Sequence, residues 1–453
     1  MSGRFVGKVV FAGLLAVVVV VVCLGQATAS SPRFISVACT GGYVDTVALA
    51  DNGDVWAWGK DYGASPVQLQ IDNVKAISAG SSQMLALRAD GTVWTWGSRA
   101  SGLFGDGTIG APGLDATPQQ VPGLDQVIAI SAGTRHCIVL KSDGTVWSWG
   151  QNDFGDLGDG TYENRFTPGQ VTGLPSIKAI GGHGLFAIAR DGSLWTWGPG
   201  LLDTPNNNVT GTDGETIRAL SRPSPLMVPG IDNITAIDND VSTSHVVFVK
   251  SDGTVWSWGI DQNGVFGDDT NLENKWPYVT VPVQAKGIDH VVQVATTMAT
   301  TLALKSDGTV WAWGLNSAGV QGTGTIGAIE TTPVKVSGLN NVVSLAVGVH
   351  NAAAVEADGS VWGWGNGYVG PNSQGKNGFS PILAIGSVGV NNVDNTTANG
   401  TSTVTTPTES AAVSGGQGDS GNDGNLLLAG VLAFVIAVCV ALIVLVARKK
   451  QRD

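Results

Sequence analysis

Apolar and polar residues alternate over short stretches of this chain, and one such pattern returns seven times. Its centre is Trp-x-Trp-Gly, which follows an apolar stretch and an Asp-Gly pair, as in Leu140 to Gly150. Successive side chains of a strand point to opposite faces. The two tryptophans of a copy therefore share one face, and the small residue between them lies on the other. Each copy predicts a strand, a turn at Asp-Gly and a second strand that carries the tryptophans.

The tryptophan strands predict how neighbouring copies pack. Fourteen of the 15 tryptophans belong to the repeat. We expect the bulky face of one copy to meet the slim face of the next, so that each buried indole contributes roughly 4–6 kcal/mol of gross burial. A ligand-binding ladder of indoles is the alternative. The predicted seam residues are Trp56, Trp58, Trp94, Trp96, Trp147, Trp149, Trp195, Trp197, Trp256, Trp258, Trp311, Trp313, Trp362 and Trp364.

The turn residues and the period indicate the fold class. Asp-Gly is typical of two-residue hairpin loops of type I′, which need positive φ. Successive copies are 38, 53, 48, 61, 55 and 51 residues apart, and such periods are typical of solenoids, propellers or arrays. An all-β unit with a hairpin and a further short strand fits a propeller blade. We predict an all-β protein, a seven-bladed β-propeller, with one C-terminal transmembrane helix.

Glycines after the tryptophan strand complete the repeat. The best copy, Gly133 to Gly160, reads G-x-x-H-x-x-x-L-x-x-D-G-x-V-W-x-W-G and then G-x-L-G-x-G. This pattern resembles the regulator of chromosome condensation repeat family over roughly residues 35–390. The resemblance implies a seven-bladed propeller and, from the family's namesake, an exchange factor for a small GTPase. Copy one departs from the pattern by a shortened loop, and copy four by a polar insertion from Pro199 to Pro225.

Apolar stretches flank the repeats on both sides. Arg4 and Lys8 precede the apolar residues 9–24, and Ala-Thr-Ala at 27–29 completes the pattern of a cleaved secretory signal, with an uncleaved anchor as the alternative. Residues 426–447 carry no charge and are long enough to cross a bilayer. The basic residues that follow place the C-terminus in the cytoplasm. We therefore expect a single-pass plasma-membrane protein with an extracellular propeller.

These observations divide the chain into five segments. We predict a signal peptide over 1–29, the propeller over 30–390 and a flexible Ser/Thr/Asn/Gly stalk over 391–425. A transmembrane helix over 426–447 and a basic cytoplasmic tail over 448–453 follow. The formal net charge of −12 argues against a nucleic-acid partner. Cys39 and Cys137 fall within the propeller, and the sequence leaves open whether they form a disulfide.

One mostly polar position lies eleven residues before the first Trp of each copy. We expect it to line the inner rim of the ring, and the residues concerned are Asp45, Gln83, His136, His245 and Asn351. No histidine pair has the spacing of metal ligands within one element, and no loop has the acidic spacing of a calcium hand. We predict neither a metal nor a cofactor. No catalytic motif is present, so we expect no enzyme; a hydrolase or lyase site built across blades is the alternative.

Aromatic residues without a repeat counterpart are the best candidates for ligand contact, because loops on rigid scaffolds often carry function. Trp276 and Tyr278 come first, followed by Phe154 and Tyr162; packing against their own blade is the alternative. Sequons place candidate glycosylation sites at Asn208, Asn233, Asn395 and Asn399.

The predicted function follows from this domain order. We expect a cell-surface protein that presents the propeller for binding of, or adhesion to, an unidentified protein or glycan. An exchange-factor-like regulator and an extracellular propeller enzyme are the alternatives.

Overall fold

The computed structural model describes residues 32–41, 45–111, 113–199, 221–239, 245–261, 263–270, 278–366 and 378–386. Across these residues the chain forms seven four-stranded antiparallel sheets and no helix. This arrangement confirms the predicted seven-bladed β-propeller. None of these described residues belongs to a helix that could cross a membrane. The predicted signal peptide (1–29), stalk (391–425), transmembrane segment (426–447) and tail (448–453) lie outside the described residues.

Each blade consists of four strands that are consecutive in the chain. Blade 1 contains β1 (Phe34–Cys39), β2 (Thr46–Ala50), β3 (Val55–Gly59) and β4 (Gly63–Gln68). Blade 2 contains β5 (Val74–Ala79), β6 (Gln83–Arg88), β7 (Val93–Ser98) and β8 (Leu114–Gln120). Blade 3 contains β9 (Val127–Ala132), β10 (His136–Lys141), β11 (Val146–Gly150) and β12 (Arg165–Gln170). Blade 4 contains β13 (Ile177–Gly181), β14 (Phe186–Ala189), β15 (Leu194–Gly198) and β16 (Arg222–Val228).

The remaining blades repeat this order. Blade 5 contains β17 (Ile234–Asn239), β18 (His245–Lys250), β19 (Val255–Ile260) and β20 (Tyr278–Gln284). Blade 6 contains β21 (Val291–Thr296), β22 (Thr300–Lys305), β23 (Val310–Leu315) and β24 (Ile329–Lys335). Blade 7 contains β25 (Val342–Val347), β26 (Asn351–Glu356), β27 (Val361–Gly365) and β28 (Gly378–Ile385). The tryptophans lie on the third strand of every blade.

The core consists of seams between neighbouring blades. At one seam, Leu85 and Leu87 of blade 2 share a buried cluster with Val139 and Trp149 of blade 3. The same alternation places the second tryptophan of every pair in a seam, with at most 3% of its surface exposed. The first tryptophan of every pair is only half-buried. The two indoles of one strand therefore have different environments, although the strand pattern puts them on one face.

The Asp-Gly turns differ from the expected type I′ geometry. In the turn after β6, Gly91 has a φ of 82°, whereas Asp90 is not among the residues with positive φ. The Asp90 carboxylate instead accepts hydrogen bonds from the backbone nitrogen of Thr92 at 2.9 Å and from its hydroxyl at 2.6 Å. These bonds hold a longer turn in which only the glycine needs the left-handed conformation. Asp90 is therefore needed as the hydrogen-bond acceptor for Thr92. Gly91 is needed because its backbone adopts a positive φ.

Blade 1 and blade 7 close the ring by side-chain packing, because no described strand is shared between them. Phe34 of β1 and Val355 of β26 belong to one buried cluster. Arg33 donates from Nη2 to the carbonyl oxygen of Ala357 at 2.6 Å, and the Asn351 amide donates to the Thr46 hydroxyl at 3.1 Å. These contacts seal the ring at the point where its first and last blades meet.

The ring has two faces of different construction. The hairpin face carries the Asp-Gly turns and the linkers between blades. The loop face carries the connections from the first to the second strand and from the third to the fourth strand of each blade. Phe34 pairs with Ala50, and Ile385 pairs with Val361, so both neighbour an Asp-Gly turn. The described chain therefore both enters and leaves the propeller on the hairpin face.

Candidate functional site

On the loop face, hydrogen bonds join blade 2 to 3, blade 3 to 4, blade 5 to 6 and blade 6 to 7. The connection between third and fourth strands carries the G-x-x-G segment, and a carbonyl of that segment accepts the indole N–H of the following blade's second tryptophan. The bonds are Trp149 to Leu103 at 2.9 Å, Trp197 to Asp156 at 2.9 Å, Trp313 to Val265 at 2.7 Å and Trp364 to Val320 at 2.6 Å. These indole bonds hold each of the four loops against the following blade.

Glycine is required where these loops approach the next blade. Gly105 has a φ of 69°, and a Cβ at this position would lie 2.7 Å from Val121 Cγ1 and 3.2 Å from Trp149 Nε1. A side chain here would meet both the strained backbone and the indole. The second glycine of the segment is therefore fixed by the tryptophan whose N–H the loop accepts.

An amide side chain organises the same loops from within. Asn152 is fully buried; its Oδ1 accepts the Leu157 backbone N–H at 2.9 Å and its Nδ2 donates to the Thr161 carbonyl at 2.9 Å. Asn316 does the same in blade 6, and Asp261 takes this place in blade 5. The sequence carries the signal, an Asn or Asp two residues after the motif glycine, but this position was not among the predicted site residues.

Asp261 differs from Asn152 and Asn316 because its side chain is an acid rather than an amide. One of its oxygens accepts the Thr270 hydroxyl at 3.1 Å, and Oδ1 is buried without a hydrogen-bond partner. Desolvation raises the pKa of this carboxyl to about 6, and the nearby Asp268 adds repulsion. An acid occupies a site that an amide satisfies better.

The position expected to line the channel lies instead between blades. Asp45, Gln83, His136, His245 and Asn351 are each at most 4% exposed. In blades 2, 3, 5 and 7 this residue is the first of the second strand. It pairs there with the motif glycine of the third strand. The channel wall is formed by the innermost strands, including Ser78, Ile180 and Ile237. The five residues were expected at the inner rim. The first strand of each blade occupies that rim, and these residues lie at the start of the second strand.

His136 and Asp156 form the most buried titratable pair on this face. Nδ1 of His136 lies 3.9 Å from Oδ1 of Asp156, beyond hydrogen-bond range. Burial lowers the pKa of His136, and burial raises the pKa of Asp156. A Cβ on Gly184 would lie 2.8 Å from Nε2 of His136, so the glycine at this position of blade 4 makes room for the imidazole. The pair serves to pack blade 3 against blade 4.

A second cluster of polar side chains connects blade 4 to blade 5 and blade 5 to blade 6. His245 Nε2 lies 2.8 Å from the Thr296 hydroxyl, and the Thr296 backbone N–H donates to Asp238 at 2.8 Å. His183 Nε2 lies 3.9 Å from Asp238 Oδ1. Two of these four residues, His183 and Asp238, also line the central channel. Within the described residues, no group of three or more His, Cys, Asp or Glu has the geometry to hold a metal ion.

The four aromatic candidates have separate locations. Phe154 is half-buried under the Arg135 guanidinium, whose carbon lies 5.6 Å from the ring centre. Tyr162 is 40% exposed and donates its hydroxyl to the Ser221 carbonyl at 2.9 Å, which joins blade 3 to blade 4. Trp276 and the side chain of Tyr278 lie outside the described residues. Both described candidates lie on the loop face, and both have a packing partner.

The remaining candidate residues have simple locations. Asn233 is exposed in the turn before β17, with a φ of 57°. Asn208, Asn395 and Asn399 lie outside the described residues. Cys39 and Cys137 are both buried as free thiols, so they do not form a disulfide in this structure. Burial raises the pKa of Cys39 to about 12 and also raises that of Cys137.

Comparison with known repeats agrees with this geometry. Two models of the regulator of chromosome condensation (RCC1) repeat match the chain. One matches residues 74–102, 127–156 and 291–320, and the other matches 90–140, 143–188 and 307–355. These ranges cover blades 2, 3, 6 and parts of 4 and 7, where the loop and tryptophan signals are most regular.

Curated relatives with different activities share the repeat. Over 300 residues the chain is 27% identical to the E3 ubiquitin-protein ligase HERC2 of Mus musculus, covering 63% of this chain and 6% of that protein. Over 283 residues it is 27% identical to the ultraviolet-B receptor UVR8 of Arabidopsis thaliana, covering 60% of this chain and 61% of the receptor. The match spans less than two thirds of either relative. Repeats of this kind therefore occur in proteins with unrelated activities.

A solved structure shows the same fold. The structure of Kap60 bound to yeast RCC1 (Prp20) matches with a TM-score of 0.61 and 19% identity, covering 77% of this chain and 85% of that one. The seven sheets, the seam tryptophans and the matched sequence ranges thus agree. The chain carries regulator of chromosome condensation repeats on a seven-bladed β-propeller.

Proposed function

We propose that this chain is a single-pass cell-surface protein that binds a protein or glycan ligand with the loop face of its propeller. One observation carries the proposal: the described chain enters at Phe34 and leaves at Ile385 on the hairpin face. The hairpin face therefore carries both ends of the described propeller, and the loop face carries neither.

The loop face also has the properties of a binding surface. Its loops are latched to neighbouring blades by the indole bonds, so binding would cost little ordering of the chain. It carries the exposed Tyr162 and the Phe154–Arg135 pair, and aromatic and arginine side chains are enriched in binding hot spots. The structure of yeast RCC1 with Kap60 supports protein binding by such propellers.

The alternatives make different demands on location. An exchange factor for a small GTPase works in the cytosol or nucleus, which conflicts with the predicted signal peptide and membrane segment. A propeller enzyme fits the proposed location but needs a catalytic group, and the candidates His136 and His245 are enclosed between blades at 4% and 0% exposure. We therefore propose a binding protein without catalytic activity.

Cysteine labelling of intact cells tests location and face together. Ile109→Cys puts a thiol on the loop face at a residue that is 56% exposed, and Ser142→Cys puts one on the hairpin face. We expect a membrane-impermeant maleimide to label both variants on intact cells. The buried Cys39 and Cys137 should stay unlabelled, because their thiols are enclosed and hard to ionise.

The same variants separate the two faces as binding surfaces. A maleimide carrying a polyethylene glycol chain on Ile109→Cys should abolish adhesion of expressing cells to partner cells or glycan arrays. The same modification of Ser142→Cys is the matched control and should leave adhesion intact. Labelling that requires cell lysis would refute the surface location, and loss of adhesion only with Ser142→Cys would assign binding to the hairpin face.

A further inference from the structure

A cavity with a volume of about 380 Å³ opens on the hairpin face where blade 1 meets blade 2. This volume lies at the lower end of the range for ligand pockets. Its wall combines one indole with a rim of polar side chains. The residues that matter are Asp54, Gln68, Gln70, Asp72, Arg88 and Trp94.

The linker that borders this cavity is one residue shorter than the linker of the next seam. In the linker after blade 1 the buried apolar residues Leu69 and Ile71 are two positions apart. In the linker after blade 2 the buried residues Val121 and Leu124 are three positions apart. The first residue of each pair donates its backbone N–H to the first residue of the third strand of its own blade, so the two linkers are equivalent. The linker after blade 1 therefore covers less of its seam.

The turn of blade 1 also departs from the repeat at this cavity. Two positions before the first tryptophan, blades 2 to 6 carry a Thr or Ser whose hydroxyl accepts the indole N–H, as Thr92 does from Trp94 at 3.3 Å. Blade 1 carries Asp54 there, and the buried Nε1 of Trp56 has no hydrogen-bond partner within the described residues. The acid thus breaks a local rule of the repeat and lines the cavity, and such departures are expected at functional sites.

The indole of Trp94 supplies the main apolar part of the wall. Trp94 is half-buried, and because its N–H already bonds to Thr92, the rest of the indole offers only carbon to the cavity. Leu69 and Ile71 also line the cavity but are only 7% and 8% exposed. A flat aromatic surface of this kind packs against the C–H groups on one face of a sugar ring.

Polar groups around the indole offer both hydrogen-bond donors and acceptors. Gln68 and Gln70 carry exposed amides. Arg88 is fixed by Asp72, because its Nε donates to the Asp72 carbonyl oxygen at 3.0 Å and its Nη2 to the carboxylate at 2.5 Å. Nη1 of Arg88 lies 3.8 Å from Oδ2 of Asp90, beyond hydrogen-bond range, so its N–H groups can donate to a ligand.

The charges of the rim favour a neutral ligand. Two carboxylates, Asp54 and Asp72, stand against one guanidinium, Arg88, so an anion is repelled by the acids and a cation by the arginine. Oδ2 of Asp54 accepts the Asn52 amide at 2.9 Å, and the carboxylate keeps further acceptor capacity. Hydroxyl groups suit this rim, because each can donate to a carboxylate and accept from an amide or a guanidinium.

We propose that this cavity binds a neutral sugar unit of one or two rings. One face of the sugar ring packs on Trp94, its hydroxyls donate to Asp54 and accept from Arg88, and the amides of Gln68 and Gln70 bond the remaining hydroxyls. This site is separate from the loop face proposed above for adhesion. One small, open site binds weakly, so cell adhesion is still expected from the loop face. The inference depends on this seam alone and holds whether or not the propeller lies outside the cell.

Saturation-transfer NMR on the full-length protein, in a detergent without a sugar headgroup, tests this proposal. The probes are cellobiose, maltose, lactose and N,N′-diacetylchitobiose, and at least one should show saturable transfer from aromatic protons of the protein to its ring C–H protons. The methyl glycoside of the best probe should bind equally if the natural ligand is a glycan end, and more weakly if it is a free reducing sugar. Absence of saturable transfer to all four sugars would overturn the proposal.

Two further probes test the ligand class. Cyclohexylmethanol has an apolar ring with one hydroxyl, and N-acetyl-glutamine methylamide is a neutral peptide unit. Both should bind at least about tenfold more weakly than the best sugar, because neither satisfies the polar rim while covering the indole. Equal affinity of cyclohexylmethanol would refute recognition of the hydroxyls, and equal affinity of the glutamine probe would assign the cavity to a peptide.

Matched variants locate the binding. Asp54→Thr installs the residue that blades 2 and 3 carry at this position, and it should reduce affinity for the best sugar about tenfold. Asp51→Thr removes an exposed charge from the same turn outside the cavity and is the control. Gln68→Ala should reduce affinity about fivefold, whereas Gln120→Ala, at the same register position of blade 2, should leave it unchanged. Unchanged affinity in both cavity variants, or equal losses in their controls, would overturn the site.

Replacement of the indole tests the packing of the sugar ring. Trp94→Ala should abolish saturable transfer to the sugar. Trp147→Ala is the matched control, because Trp147 has the same place in blade 3 beside the longer linker, and it should retain binding. Thermal unfolding establishes that both variants are folded. Binding retained in Trp94→Ala, or lost equally in both variants, would refute the role of this indole.

Discussion

Replacement of Trp149 by alanine should lower the free energy of unfolding by about 3–5 kcal/mol. The indole is completely buried in the seam between blades 2 and 3, among Leu85, Val121 and Val139. Its N–H also donates to the Leu103 carbonyl at 2.9 Å, which latches the blade 2 loop. The substitution removes both the packing and the latch, and leaves a cavity that the rigid ring closes poorly. Urea unfolding followed by far-ultraviolet circular dichroism measures the change.

Trp147→Ala is the internal control for this prediction. Trp147 lies on the same strand and face but is half-buried, and its N–H donates to Thr145 of its own hairpin at 3.1 Å. We expect its replacement to cost about 1–2 kcal/mol. A loss below about 1 kcal/mol in Trp149→Ala, or equal losses in the two variants, would contradict the distinct seam role of the second tryptophan.

Asp261→Asn should stabilise the protein at neutral pH by about 1–2 kcal/mol, and the gain should vanish in acid. Burial raises the pKa of Asp261 to about 6, so the folded state favours the protonated form. Its contribution to stability is therefore greatest below about pH 4 and is lost as the pH rises through about 6. Asparagine stays neutral throughout, so the difference between variant and wild type should appear only at the higher pH. Unfolding free energies at pH 4 and pH 8 test this.

The reciprocal change Asn152→Asp should destabilise blade 3 by about 2–3 kcal/mol at pH 8. It removes the amide that donates to the Thr161 carbonyl at 2.9 Å, and it places a carboxylate near Asp159, whose Oδ1 lies 3.4 Å from the Asn152 amide nitrogen. The loss should shrink toward pH 4, where the new carboxyl is protonated. Because Asp45 titrates in the same direction as Asp261, each variant is compared with wild type at the same pH. Equal effects at both pH values would show that charge is not the cause.

Much of the architecture could be predicted because it depends on a local period. Alternation in Val146 to Gly150 assigns the two tryptophans to one face and Ser148 to the other, whatever surrounds the strand. Seven such copies then require a ring of sheets, and the seam of Leu85 with Trp149 follows from bulky and slim faces. The loop amide position, shared by Asn152 and Asn316, was equally visible, because it also repeats at a constant distance from the motif.

The features that escaped prediction depend on where one blade meets the next. His136 and His245 were expected on a channel rim, but the register of their strands encloses them between blades. The Asp-Gly turn was expected to be type I′, yet Asp90 accepts hydrogen bonds from Thr92 and only Gly91 has positive φ. The Asp-Gly pair is compatible both with a type I′ turn and with a turn held by the Asp90 side chain. Only the folded structure shows which of the two forms.

By itself the sequence determined the all-β class, the number of blades and the tryptophan strands, because each depends on side-chain alternation within a few residues. It also showed that copy one has a short loop. Only the tertiary structure decided what that loop leaves behind: a cleft between blades 1 and 2 that is lined by Asp45 and Asp61. A seam joins residues far apart in the chain, so the effect of a missing segment appears only in the blade that would have packed against it.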